Sequence, residues 1–312
     1  MRNKSPYISI IDVGSNTIKL LTAIRGNPIH IIEDKTYETR IIQHSYNINK
    51  YISQKSIKDA CRSIHQLVQL AQKYDPKNIT IVGTSAIRDA KNLDFFKEKV
   101  LKCTGYHLQE LSKEEEALTV CQAAIQDPLL ANINSFYLLD LGGGSLELIE
   151  YYEKSINQLV SIPIGVVRVA HKYFGDKDII LNKSIAIKIS HFIEERIQTS
   201  GFSIENKNQP LVITSGSLAV AGEIIFKQNP NLNNNQRRIS VNILRELYAN
   251  ISGLNITQRL KLPGMSTSHA DILPIALLIF IFFAEKIDVN WVLHTKYNLR
   301  FGLATKSLSK II

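Results

Sequence analysis

Cysteine is scarce in this chain, with three residues among 312, at Cys61, Cys103 and Cys121. An odd, dispersed set without Cys-x-x-Cys spacing argues against a disulfide scaffold and a zinc site, and points to a reducing compartment. Long hydrophobic runs are missing as well. The longest uncharged apolar stretch, Ile272–Ala284, contains Pro274 and falls short of the ~20 residues that a bilayer requires; it is expected to be a buried helix. No signal-peptide pattern is legible, because Asp12 cuts the N-terminal apolar run and no cleavage-like stretch follows. No Lys/Arg-rich block stands out, His269 and His294 lack metal-ligand spacing, and there is no short solenoid repeat. These absences predict a cytoplasmic protein with no membrane segment and no specific nucleic-acid partner.

What is present is a chain that can build cores, since 45% of its residues are hydrophobic. Its length suits about two domains of roughly 100–200 residues each. The net charge of +9 favours an anionic partner, which by composition alone is nucleic acid, polyphosphate, a phosphorylated nucleotide or an acidic membrane. Arg237-Arg238 is the most conspicuous basic pair and reads as a solvated loop.

Two short loops carry most of the information: Asp12-Val13-Gly14-Ser15-Asn16 and Asp140-Leu141-Gly142-Gly143-Gly144-Ser145. Each follows an apolar strand-like run and precedes another strand. Glycine lets a backbone turn tightly and approach a ligand closely, and free N–H groups at such a turn form an anion-binding concavity. A carboxylate at its mouth would repel bare phosphate, so a divalent cation is expected between them. A single Asp-Gly turn is usually only a hairpin; the duplication and the triple glycine favour a ligand site. No Gly-Lys-Ser/Thr follows, so neither loop is a nucleotide-binding P-loop.

Strands are expected at Tyr7–Val13, Thr17–Ile24 and, more weakly, Ile29–Asp34, then an irregular polar stretch over Thr36–Lys50. A helix from about Ser53 to Tyr74 follows from apolar positions at helical spacing and is stopped by Asp75-Pro76. Ile79–Gly83 and Tyr106–Leu111 read as strands around a helix at Leu93–Lys102. Ser112 opens another helix, with Glu115 completing a capping-box pattern. Asp127-Pro128 marks the expected boundary between domains 1–127 and 128–312. The second half restarts with strands at Phe136–Leu139, Leu146–Tyr152 and Ile156–Ile162. Helices near Val166 and over Ile185–Gln198 follow, then the strand Leu211–Thr214 and the turn Ser215-Gly216-Ser217. More helices over Val241–Phe283, a short strand at Val292–Leu293 and a last helix near 299–309, packing back on the first domain, complete the chain. Mixed elements restarted midway predict two related α/β domains around a cleft.

These residues resemble the exopolyphosphatase / guanosine pentaphosphate phosphohydrolase family, of the actin-like, sugar-kinase and Hsp70 ATPase superfamily. The segments that carry the resemblance are Ile11-Asp-Val-Gly-Ser-Asn-Thr-Ile-Lys-Leu20, Gly83-Thr-Ser-Ala-Ile-Arg-Asp-Ala90, Leu111-Ser-Lys-Glu-Glu-Glu-Ala117, Leu139-Asp-Leu-Gly-Gly-Gly-Ser-Leu-Glu-Leu148, Ile162-Pro-Ile-Gly-Val-Val-Arg168 and Thr214-Ser-Gly-Ser217. Ala270-Asp-Ile-Leu-Pro274 and Leu299-Arg-Phe-Gly302 add to them. The resemblance covers nearly the whole chain in order and matches the short, two-domain members. It implies two ribonuclease H-like (actin-like ATPase) domains flanking a cleft, Mg²⁺ or another divalent cation, and removal of terminal phosphate from polyphosphate or guanosine pentaphosphate. A link to (p)ppGpp and the stringent response, and a homodimer, are further implications.

By that resemblance Glu116 orients or deprotonates the attacking water; from sequence alone, Glu114, Glu115 and Glu116 are also acids that suit a first helical turn. Arg88, read as lying in a loop after a short strand, either grips phosphate oxygens bidentately or pairs with Asp89 at the surface. Asp140 and Glu147, with Asp12, are the expected metal-side carboxylates, although Glu147 also suits a solvent-facing strand position. Gly14, Ser15, Asn16, Gly143, Gly144 and Ser145 form the expected phosphate cradle. Arg168 and Ser215-Gly216-Ser217 are further phosphate contacts, with helix N-capping as the alternative for the serines. Departures from the family pattern fall at Gln43, where glycine is usual, at Lys113 and at His269. They leave open a non-catalytic polyphosphate or (p)ppGpp sensor; an ATP-dependent kinase or ATPase of the same superfamily is a further alternative that the resemblance implies.

Overall fold

The computed structural model describes residues 7–42, 50–75, 78–175, 177–228 and 237–309. The chain divides into two compact units, Met1–Ala131 with Tyr297–Ile312, and Asn132–Lys296.

In the first unit, strands β1 (Tyr7–Val13), β2 (Thr17–Ile24) and β3 (His30–Glu38) form an antiparallel meander. β4 (Ile79–Gly83) and β5 (Leu108–Glu110) add in parallel on the other side of β1, giving the order β3-β2-β1-β4-β5. β1 is buried on both faces, hence its near-continuous apolar run. Ile11 and Val13 face a core formed with helices α1 (Gln54–Gln72) and α3 (Leu93–Thr104). Ile8 and Ile10 face the opposite core, shared with α4 (Lys113–Ala124) and the C-terminal α11 (Leu299–Ser309). A one-turn helix, α2 (Ser85–Arg88), follows β4. β3 runs through Glu38, so the stretch expected to be irregular from Thr36 is partly strand. Its charged, exposed residues suit a sheet edge, and that polarity hid it from a hydrophobic pattern.

The second unit repeats the plan. β6 (Phe136–Leu141), β7 (Leu146–Tyr152) and β8 (Ser155–Ile162) form the meander. β9 (Leu211–Thr214) and β11 (Trp291–His294) follow in parallel, and β10 (Arg238–Ser240) closes the edge, in the order β10-β11-β9-β6-β7-β8. Arg238, expected in a loop, lies instead in β10 with its guanidinium 3.8 Å from the Trp291 ring centre. Helices α5 (Val166–Phe174), α6 (Lys183–Ser200), α7 (Gly216–Gln228), α8 (Val241–Ser252), α9 (Ile256–Arg259) and α10 (Leu273–Ile287) complete this unit. The apolar run at Ile272–Ala284 forms α10, packed against α5, α6, α7 and α8. Among the described residues no helix is long and apolar enough to cross a membrane.

Contacts divide the chain after Ala131, beyond Asp127-Pro128. Asp127 caps a short 3-10 turn, Pro128–Leu130, by accepting the Leu129 N–H, and the turn buries Leu130. Proline there ends a helix without ending the compact unit.

A buried carboxylate ties three parts of the second unit. Glu150 on β7 accepts hydrogen bonds from the Tyr137 hydroxyl (2.9 Å) and from the side-chain amides of Asn157 (2.5 Å), Gln158 (2.8 Å) and Asn206 (2.8 Å). Burial pushes its carboxyl up, but these bonds outweigh it and hold the group below the usual carboxylate range. A carboxyl lowered in the folded state adds stability above its unfolded pKa, lost as pH falls through the folded value. Glu150→Gln is therefore expected to be less stable than the parent at neutral pH, with the gap narrowing below the ordinary carboxylate range. Thermal unfolding across pH checks this; a pH-independent gap would exclude it.

Candidate active site

In the first unit, the carboxyl ends of β1, β4 and β5 gather three segments, the edge where ligands bind in open α/β sheets. The β1 turn is closed by the Gly14 N–H donating to Thr17 O at 3.1 Å. Its carbonyls are drawn backwards: Asn16 O accepts from the Thr39 and Arg40 N–H groups, and Ser15 O from Ile42 N–H. A Cβ on Gly14 would sit 3.0 Å from Thr17 O, so the turn is shaped for glycine. Gln43 and His44 lie outside the described residues, while Ile41 and Ile42 beside them are buried.

Arg88 lies at the last position of α2, rather than in a loop. Its guanidinium turns away from a surface pairing with Asp89: Nη1 donates to Leu111 O at 2.7 Å and to Glu116 Oε2 at 2.9 Å. Glu116 sits in the first turn of α4, where Ser112 and Glu115 form the expected reciprocal cap with bonds of 2.9 and 3.1 Å. Backbone and side-chain hydrogen bonds with Ser112 lower the Glu115 carboxyl, so that acid is accounted for by capping. Glu116 differs, being 6% exposed and ion-paired. Arg88 Nε and Nη2 are buried without a hydrogen-bond partner. Two orphaned donors on one buried fork suit a planar or tetrahedral oxyanion.

Asp12 lies directly across β1–β2 from Lys19. Its Oδ1 is shielded and has no hydrogen-bond partner. Burial raises this carboxyl, opposed by Lys19 and by Arg300 of α11, whose Nη1 donates to Leu20 O at 2.8 Å and Asp34 Oδ1 at 2.7 Å. Sequence reasoning missed Lys19 and Arg300; counting hairpin register back from the turn finds Lys19, whereas nothing local flags Arg300.

The second unit repeats this geometry at β6. The Gly142 N–H donates to Ser145 O at 3.1 Å, and the carbonyls are again drawn backwards. Gly142 O accepts from Val166 N–H, and Gly143 O from the Val167 and Arg168 N–H groups. The glycine loop thus caps α5 with its own carbonyls. Arg168 Nε donates to Gly144 O at 2.8 Å, so Arg168 braces the loop. The Ser215 hydroxyl donates to Leu141 O at 2.9 Å and accepts the Ser217 N–H at 3.3 Å. The expected turn at Ser215-Gly216-Ser217 is therefore the start of α7, because Ser215 supplies the N-terminal acceptor.

Asp140 and Glu147 are direct cross-strand partners, and Glu147 pairs in turn with Ser161. The Ser161 hydroxyl donates to Glu147 Oε1 at 2.8 Å, and Glu147 is 1% exposed, not solvent-facing. Where the first unit sets Asp12 against Lys19, this unit sets two carboxylates together. Like charges directly opposed destabilise a sheet, and a divalent cation removes that cost. Among the described residues no group of three or more His, Cys, Asp or Glu side chains could hold a metal. A two-carboxylate set still fits a hard cation that keeps several waters, as Mg²⁺ does. His269 accounts for itself otherwise, its Nδ1 lying 2.9 Å from both the Ser266 and Ser268 hydroxyls.

The sequence profile of the Ppx/GppA phosphatase family matches residues 20–311. Exopolyphosphatase 1 of Mycobacterium leprae is 25% identical over 96% of this chain and 89% of its own length. The guanosine-5'-triphosphate,3'-diphosphate pyrophosphatase of Aliivibrio fischeri is 24% identical over 96% of this chain and 59% of its own. The crystal structure of an exopolyphosphatase from Cytophaga hutchinsonii superposes with a TM-score of 0.86 at 18% identity, covering 97% of this chain and 98% of that one. The fold is that of Ppx/GppA proteins, the actin-like ATPase fold.

A Cβ on Gly165 would lie 2.4 Å from Gly143 C and Gly144 N. Gly165→Ala is expected to push the glycine loop off α5, costing about 1–3 kcal/mol of stability. Thermal unfolding and orthophosphate affinity measured on the same variant check it; unchanged values in both would show that the loop tolerates displacement.

Proposed function

The chain belongs to the Ppx/GppA phosphatase family, and on that premise we propose that it releases terminal orthophosphate from inorganic polyphosphate, with guanosine pentaphosphate as second substrate. The observation that carries this reading is the buried Arg88–Glu116 pair, with two guanidinium donors left over for an anion. The chain spans 89% of the length of the exopolyphosphatase relative and 59% of that of the pyrophosphatase relative.

Phosphoryl transfer asks a protein for positioning and charge stabilisation more than for covalent chemistry. Arg88 Nε and Nη2 grip oxygens of the phosphoryl group under attack. Glu116, fixed by its bond to Nη1, orients the water and takes its proton. The N–H groups of Ser15, Asn16, Gly143, Gly144 and Ser145 serve phosphate oxygens, because each turn's carbonyls are committed elsewhere, while the Gly14 N–H closes its turn on Thr17 O and lets the backbone come close to the anion. Gly216 and Ser217 present the N-terminus of α7 to an anion. Asp140 and Glu147 hold the cation, which when bound neutralises phosphate charge. Asp12 keeps one oxygen without a protein donor for a water or cation. The protein is proposed to act in the cytoplasm.

Glu116→Gln keeps the shape of the pair and removes the base. Phosphate release from long-chain polyphosphate and from guanosine pentaphosphate, assayed side by side, is expected to fall by about 10²–10⁴-fold; undiminished release would remove Glu116 from the mechanism. Chelation by EDTA is expected to abolish release and added Mg²⁺ to restore it. Asp140→Asn should shift the Mg²⁺ requirement upward, and activity indifferent to chelation would exclude the cation.

A further inference from the structure

Two of the three cysteines, far apart in sequence, meet in the first unit. Cys61 lies on α1, beside the buried stripe of Ile57, Ala60 and Ile64. Cys103 lies in the last turn of α3. The two helices pack together and are tied at two levels. Ahead of their first turns, the Ile52 N–H donates to Asn92 Oδ1 and Asn92 Nδ2 donates to Ile52 O, both at 2.9 Å. At the other end of α3, His65 Nδ1 of α1 lies 2.8 Å from Cys103 O. The Thr104 hydroxyl donates to Val100 O at 2.7 Å, and Gly105 ends the helix with φ 77°. These bonds fix the backbone on both sides of the thiols.

Cys103 Sγ stands 3.3 Å from Val100 O of its own helix and 3.8 Å from Cys61 O across the interface. The two thiols are also hydrogen-bonded to each other. A disulfide requires Cα atoms about 4.4–6.8 Å apart, and a sulfur that touches both the backbone and the thiol of the other cysteine satisfies that reach. Both residues are free thiols and only half-buried, so a small oxidant has access to them. Cys121 on α4 is buried and serves as an internal control. Burial pushes the Cys61 and Cys103 thiols up, Cys61 to about 12, and the hydrogen bond between them lowers Cys103 while raising Cys61 further. Cys103 is therefore the first of the two to react.

We propose that Cys61 and Cys103 form a reversible disulfide, with a low-molecular-weight disulfide as oxidant, and that the bond clamps α3 to α1. The Cys103 thiolate attacks one sulfur of the oxidant, giving a mixed disulfide and releasing one small thiolate, which takes up a proton. Cys61, deprotonated in turn, attacks Cys103 Sγ and displaces the second small thiolate. Two protein thiols are oxidised and one small disulfide is reduced to two thiols, so atoms and electrons balance. A reducing pool reopens the bond, which makes it a response to oxidant rather than a scaffold. The closed loop runs over residues 61–103 and restricts the unfolded chain, while the folded backbone is already held in place. This chemistry is independent of the hydrolase reading, because neither helix carries a residue of that mechanism.

The test treats the full chain with oxidised glutathione at neutral pH, quenches with acid and alkylates the remaining thiols under denaturing conditions. Free thiols are expected to fall from three to one, with the peptide containing Cys61 joined to the one containing Cys103 by a bond that dithiothreitol reverses. The oxidised protein is expected to unfold about 5–10 °C above the reduced protein. Cys61→Ser is expected to stop at a glutathione adduct on Cys103, without that rise; the peptide map of the parent protein needs no substitution and decides the matter if the variant does not fold. Three thiols surviving the oxidant, glutathione adducts on the parent with no Cys61–Cys103 link, or a link through Cys121 would overturn the pair. A Cys61–Cys103 link with an unchanged unfolding temperature would overturn the clamp.

Discussion

A 3.1 Å backbone hydrogen bond closes each of the two glycine turns, from Gly14 N–H to Thr17 O and from Gly142 N–H to Ser145 O. Much of the arrangement depends on that closure. It sets the register of the following hairpin, and so decides which side chain stands opposite each aspartate. It also leaves the turn's carbonyls to be taken by another segment: Thr39, Arg40 and Ile42 in one unit, the first turn of α5 in the other. One short bond thus links strand pairing in both units with helix capping in the second.

The duplication is close in topology and broken in charge. Both units place three antiparallel strands beside parallel ones, with the same offset carrying Asp12 to Asp140 and Gly14 to Gly142. The same offset carries Lys19 to Glu147. An internal ammonium in one half is replaced by a buried carboxylate in the other, held by Ser161. The second half sets two carboxylates opposite each other, while the first sets its aspartate opposite an ammonium. This asymmetry gives two related scaffolds different charge at matching positions.

The Arg88–Glu116 pair shows how a buried charge can be both structural and available. Partners satisfy Nη1, while Nε and Nη2 are buried and unmatched. Leaving such donors unpaired costs stability, and that cost is recovered only when an acceptor arrives. Glu150 and Arg259 are contrasting cases. Four donors surround the first, and carbonyls of Ile251, Ala270 and Ile179 accept from the second, whose pKa burial nonetheless lowers to about 10. Both serve the fold and present nothing to a ligand.

Local signals were enough to read the meanders, the capping box at Ser112, the buried helix at Ile272–Ala284 and the two glycine turns. Each depends on residues a few positions apart, where periodicity, capping and turn chemistry act. The family, too, was legible from short ordered motifs. What the sequence could not supply was the partner of each charge. Arg88 pairs with Glu116 rather than its neighbour Asp89, Arg300 reaches Asp34 from the far end of the chain, and scattered Lys172 and Arg196 share one ring. Strand pairing and helix packing make these meetings between distant segments, and Coulomb and hydrogen-bond energies depend on distance in space rather than along the chain.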